Sequence, residues 1–104
     1  MNNYEYPSES QLKRISDWDI LEKPVRELLD YIESIWWTPD WGFCLKGKRV
    51  LRLELHTGGW SGNESIIDAL QKNWEFWMMY WMKTYRGGHY YFRIDLRQIK
   101  PKEV

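Results

Sequence analysis

From Val50 onward the chain changes its hydrophobic period within a few residues, and that change limits the folds open to it. Val50 to His56 alternates, with Leu51, Leu53 and Leu55 on one side and Arg52, Glu54 and His56 on the other. This is the pattern of a half-buried strand with one wet face. The stretch His56-Thr57-Gly58-Gly59-Trp60-Ser61-Gly62-Asn63-Glu64 follows, holding three glycines and a tryptophan in nine residues. Ser61 and Glu64 stand in the S-x-x-E relation of a capping box. The helix they open runs through Ile66, Ile67, Ala69 and Leu70 to Lys72 or Asn73. Glycine admits positive φ and close approach of other groups. A plain connection rarely needs three of them beside an indole, so the loop is a candidate working surface. The ordinary alternative is a tight, capped strand-to-helix turn with Trp60 tucked onto the sheet.

The remaining segments fill in around this unit. Ser8 or Ser10 suits the cap of a short helical turn through Gln11–Ile15, with Asp17 as a break. Pro24 sits where a first helical residue has no N–H to satisfy. Val25, Leu28, Leu29, Ile32, Ile35 and Trp36 then recur at helical spacing, and Thr38-Pro39-Asp40-Trp41-Gly42 ends that helix. Phe43-Cys44-Leu45 reads as a short strand before a Lys46-Gly47-Lys48 turn. The aromatic content of Trp74–Tyr85, and the sharp turn after it, favour a strand there. Arg86-Gly87-Gly88 suits a tight hairpin. In the return strand Tyr90, Phe92, Ile94 and Leu96 alternate with His89, Tyr91, Arg93 and Asp95. The predicted order is α-β-α-β-β, an α+β two-layer sandwich with helices on one face of a three- to four-stranded, mostly antiparallel sheet. Residues 1–104 form one domain, with 1–7 and 98–104 as flexible tails.

Charge and cysteine content narrow the function classes. Fifteen basic residues balance fifteen acidic ones, which argues against a sequence-independent nucleic-acid binder. A local pocket for a small anion stays open. Cys44 is alone, so no intramolecular disulfide forms and a reducing compartment fits. The first residues lack the pattern of a secretory signal, and no apolar run approaches the ~20 residues of a membrane span. These features predict a cytoplasmic protein.

Specific chemistry is sparse. A strand leading through glycines into a helix start resembles an anion site in layout, but no lysine follows Gly62 as a P-loop requires, and Glu64 opposes an anion. His56, His89 and Cys44 lack metal-ligand spacing, so no metal or cofactor is predicted. Ser61 has no nucleophile elbow. Arg86-Gly87-Gly88-His89, with Tyr91 on the same strand face as His89, forms a second candidate loop, since Arg suits a carboxylate or phosphate fork. If the two strands pair, Arg52, Glu54, His56, Tyr91 and Arg93 share one polar face. Ordinary cross-strand pairs would explain that face equally well.

Eight Trp, seven Tyr and three Phe stand out in a chain of 104 residues. Some fill a small core, and others suit an interface. Read as a strand, 74–85 puts Trp77, Met79 and Trp81 on one face and Phe76, Met78, Tyr80 and Met82 on the other. One face would then be left apolar and uncovered, which predicts a homodimer or a partner-binding face through Trp74–Tyr85.

The motif pair Leu53–Glu64 and Arg86-Gly87-Gly88-His89-Tyr90, with Ile66-Ile67, Phe76-Trp77 and Trp81 between, resembles a family of small uncharacterised proteins of bacteriophages and prophages. The likeness covers residues 50 to 94. It implies a small phage accessory protein acting in the cytoplasm of a bacterial host, and it names no substrate. The sequence reading favours a non-enzymatic binding module whose polar ligand or partner site comprises His56, Thr57, Gly58, Gly59, Trp60, Ser61, Gly62, Asn63, Glu64, Arg86, Gly87, Gly88, His89 and Tyr91. The partner is a small, nucleotide-like ligand or a host or phage protein. Two alternatives are a small hydrolase using His56 or His89 with Glu64, and a structural protein working through its aromatic strand.

Overall fold

The computed structural model describes residues 6–97; the expected tails at 1–5 and 98–104 lie outside them. Three helices come first: α1 (Glu9–Ser16), α2 (Val25–Ile35) and the single turn α3 (Pro39–Gly42). Strands β1 (Phe43–Lys46) and β2 (Val50–His56) follow, then α4 (Ser61–Lys72), α5 (Trp74–Tyr80), β3 (Trp81–Tyr85) and β4 (His89–Asp95). The four strands form one antiparallel sheet in the order β1-β2-β4-β3. This is the α+β arrangement the alternating segments predict.

The sheet is two-faced because its sequence is. Leu51, Leu53, Leu55, Phe92 and Ile94 point into the core, where Ile15, Leu28, Leu29, Ile32, Trp36, Ile66, Leu70 and Phe76 meet them. Arg52, Glu54 and His56 sit opposite Arg93, Tyr91 and His89 on the other face. At the N-terminus Ser8 caps α1 in a capping box with Gln11, and Asp17 closes that helix. Tyr6, expected in a loose tail, packs on Trp60 with ring centroids 4.8 Å apart.

The segment predicted as a strand over 74–85 divides into a helix and a strand. Asn73, 5% exposed, makes the division. Its carbonyl oxygen accepts from the Phe76 amide, capping α5, and its amide nitrogen donates to the carbonyls of Ile15 (3.0 Å) and Trp18 (2.8 Å). A new helix starts there, and Phe76 and Tyr80, four residues apart, bury on the same side. That burial outweighs the strand preference of the aromatic residues. Trp77 and Trp81 therefore do not share a strand face with Met79. Instead Trp77 from α5 stacks on Trp81 of β3 at 6.0 Å and 14°.

Candidate functional site

The two glycine loops meet. The Thr57 amide donates to the Gly88 carbonyl at 3.0 Å, and the Nδ1 atoms of His56 and His89 lie 2.8 Å apart. Thr57 is fully buried. Its carbonyl accepts from the Trp60 amide (3.1 Å) and the Asn63 side chain (3.4 Å), while its hydroxyl accepts from the Gly59 amide (3.3 Å). Gly88 has φ +84°, and a Cβ there would lie 2.1 Å from the Thr57 hydroxyl oxygen. The second glycine of the hairpin is thus required twice, by backbone conformation and by the first loop's close approach.

Gly62 answers a different need. A Cβ on it would fall 2.0 Å from the six-membered ring of Trp60, so the indole lies directly over the bare Cα at the start of α4. Trp60 does not tuck onto the sheet. It stacks on Trp37 (5.5 Å, 30°) and leans on Tyr6. The predicted capping box does not form either. Trp60 is the N-cap of α4 and its side chain does not cap the helix, the Ser61 hydroxyl pairs with that of Tyr6, and the Glu64 carboxylate accepts from the Thr57 hydroxyl at 3.5 Å. The Glu64 amide is already taken by the Trp60 carbonyl, and the tyrosine and threonine hydroxyls offer the two side chains other partners.

Asn63 is fully buried and works inward. It accepts from the Trp37 amide at 2.9 Å and donates to the Trp37 carbonyl at 3.3 Å. These bonds draw the segment after α2 over the first loop, so that a Cβ on Gly58 would meet the Trp41 ring at 3.1 Å and the Trp37 ring at 3.7 Å. Tyr6, Trp37 and Trp41 thus belong to the loop's surroundings, although no local pattern marks them. Indoles close over Gly58 and Gly62, and the anion-site layout gains no support.

The open side lies on the sheet. His56, His89 and Tyr91 are grouped there with Lys83 and Tyr85 of β3. His56 Nε2 is 3.4 Å from a Glu54 carboxylate oxygen. Glu64, its expected acid–base partner, bonds Thr57 instead. Arg86 is exposed at the hairpin tip. Two clefts lie elsewhere: about 300 Å³ between α1 and α4, lined by Leu12, Lys13, Ser65 and Asp68 among others, and about 230 Å³ beside Trp18 and Trp74. Among the described residues no group of three or more His, Cys, Asp or Glu side chains could hold a metal ion, and no helix is long and apolar enough to cross a membrane.

Comparison with protein-family models, with curated proteins and with solved structures finds no match.

Proposed function

We propose that this protein is a non-enzymatic binding module that takes its ligand or partner at the joined loops 57–64 and 86–89 and on the sheet face beside them. The observation that carries this reading is the Thr57–Gly88 bond with the His56–His89 contact beside it. Two glycine-rich turns, far apart in sequence, are locked into one rigid rim, and a rigid rim loses little entropy on binding. At its tip Arg86 has no hydrogen-bond or ion-pair partner among the described residues, which leaves its guanidinium fork available to a carboxylate or phosphate. The resemblance to phage and prophage proteins extends the reading to an accessory role in the host cytoplasm. The hydrolase alternative has less behind it, because Glu64 is engaged by Thr57 rather than by an imidazole.

A thermal-shift screen of the full chain against nucleotides, oligonucleotides and small carboxylates tests this. A ligand at about a hundredfold excess over its Kd stabilises by about 2.7 kcal/mol. The expected result is a shift that Arg86→Ala and His89→Ala abolish; a shift indifferent to both would overturn the assignment of the site.

A second reading rests on a separate surface. Trp74 and Met78 of α5 are 62% and 71% exposed, and Trp81 and Met82 are exposed at the start of β3, an outer strand of the sheet. An apolar patch beside an unpaired strand edge suits self-association.

A further inference from the structure

The register of the sheet sorts its open face into rows. Lys46 of β1 pairs with Arg52 of β2, and Arg52 pairs with Arg93 of β4, so three exposed cations stand side by side across three strands. Like charges directly opposite one another destabilise a sheet. Lys46 and Arg52 have no ion-pair partner among the described residues, and Arg93 has only Asp95 at 4.0 Å. Asp95 itself is held by Arg97 at 2.9 Å. Such a row is costly in the free protein, and a bound polyanion would relieve it.

Beside this row runs a chain of rings. Trp41 to His56 is 6.0 Å between centroids, His56 to Tyr91 is 6.0 Å, and Tyr91 to Tyr85 is 5.6 Å. Trp41 and Tyr85 are more than half exposed. The ammonium of Lys83 sits 5.1 Å from the Tyr85 ring centroid and 5.3 Å from that of Tyr91, placing a further cation among the rings. The net charge of zero averages two layers of opposite sign. Residues 43–56 and 81–97, the strands and their turns, carry eight basic and two acidic side chains, while the rest of the described chain carries five basic and eleven acidic.

A row of cations beside a run of rings that is exposed at both ends, at Trp41 and Tyr85, and partly buried between, at His56 and Tyr91, complements a ligand that alternates phosphates with flat, unpaired bases. We infer that the sheet face binds single-stranded nucleic acid, with bases stacked on Tyr91, Tyr85 and Trp41 and phosphates on the row of Lys46, Arg52 and Arg93. Aromatic side chains on an open sheet offer every base a stacking partner, so recognition of this kind is tolerant of sequence. A duplex keeps its bases stacked on one another and offers the rings nothing. This inference rests on the binding-module reading and narrows its ligand.

Fluorescence anisotropy with a labelled single strand of about 16 nucleotides, read at about 50 mM and about 200 mM salt, tests it. The expected result is binding that weakens steeply with salt, prefers the single strand to the matching duplex, and falls by about 5- to 150-fold in Tyr91→Ala and in Tyr85→Ala. Arg52→Gln, at an exposed site, serves as a second probe that leaves the fold intact by circular dichroism and lowers both the affinity and the salt dependence. No binding up to about 100 µM protein at the lower salt would overturn the inference. Equal affinity for duplex, or for inorganic polyphosphate, would overturn it too, because the surface would then be reading charge alone. If oligonucleotides fail while another compound gives a shift lost in Arg86→Ala and His89→Ala, the binding module stands and only the ligand class falls.

Discussion

The Nδ1 atoms of His56 and His89 face each other at 2.8 Å across the β2–β4 register. One ring must donate there and the other accept, because two bare nitrogens or two N–H groups cannot share the contact. Glu54 decides which. Its carboxylate, 3.4 Å from His56 Nε2, accepts only, so His56 carries its proton on Nε2 and leaves Nδ1 bare. His89 therefore carries its proton on Nδ1. Long-range ¹H–¹⁵N spectra at a pH where both rings are neutral should show opposite tautomers, and Glu54→Gln should blur the assignment. Identical tautomers in the two rings would contradict this geometry.

The seat of Trp60 on Gly62 predicts a reversal of sign. In an exposed helix, alanine is favoured over glycine by up to about 1 kcal/mol. Here the added methyl would meet the indole at 2.0 Å, so Gly62→Ala should destabilise, by about 1–3 kcal/mol for an overpacked site. In a Trp60→Ala background the obstacle is gone and the same change should stabilise. Urea denaturation of the four proteins closes the cycle, and additive effects would mean that the ring does not occupy this seat.

Asn73 joins three segments through one side chain. Asn73→Ala removes the cap of α5 and strips a buried donor from the Trp18 carbonyl, for an expected loss of about 2–4 kcal/mol. Asn73→Ser retains a capping hydroxyl but not the amide donor, and should recover about 1 kcal/mol of that loss. A loss under about 0.5 kcal/mol for the alanine variant, as at an ordinary surface position, would show that the side chain holds nothing.

The same residue explains where the sequence stops being legible. The strands at 50–56 and 89–95 were readable because one face is apolar and the other polar, and the predicted facing of Arg52, Glu54 and His56 with Tyr91 and Arg93 follows from that alternation. The adjacency of the two glycine loops follows from the same pairing, since His56 and His89 are register partners. Residues 74–80 resist such a reading, because an almost continuous aromatic and Met run fits either period. What decides is Asn73, whose partners Ile15 and Trp18 are more than fifty residues away. Trp37 and Trp41 reach the first loop through Asn63, a contact across 26 residues that no local pattern announces. The perch of Trp60 on Gly62 is different: it is local, and the W-x-G spacing was there to be read.

The apolar border of β3 carries its own prediction. If Trp74, Met78, Trp81 and Met82 meet a second copy of the chain, sedimentation velocity should show a dimer that grows with protein concentration. Met78→Lys combined with Met82→Lys should return it to monomer without loss of thermal stability, since both side chains are already exposed. A wild-type monomer across the whole concentration range would remove the self-association reading and leave the sheet-face proposal untouched.

Asp95 provides a test in pH. The Arg97 side chain, bonded to it at 2.9 Å, is the main reason its carboxyl titrates at about 2 rather than at the usual 3.8; the Arg97 backbone amide adds a second bond and Arg93 a weaker attraction. Because the folded value lies below the unfolded one, the ionised carboxylate favours the folded state above pH 3.8, and that contribution disappears as the pH falls from 3.8 towards 2. An NMR titration of the Asp95 carboxyl carbon should give a midpoint near 2, and Arg97→Gln should move it back towards 3.8. The variant also bears on the open face of the sheet. With Arg97 gone, Asp95 is free to turn to Arg93 at 4.0 Å, drawing one cation out of the row with Lys46 and Arg52. If that row holds phosphates, Arg97→Gln should weaken single-strand binding although Arg97 lies outside the row; unchanged affinity would mean that Arg93 takes no part.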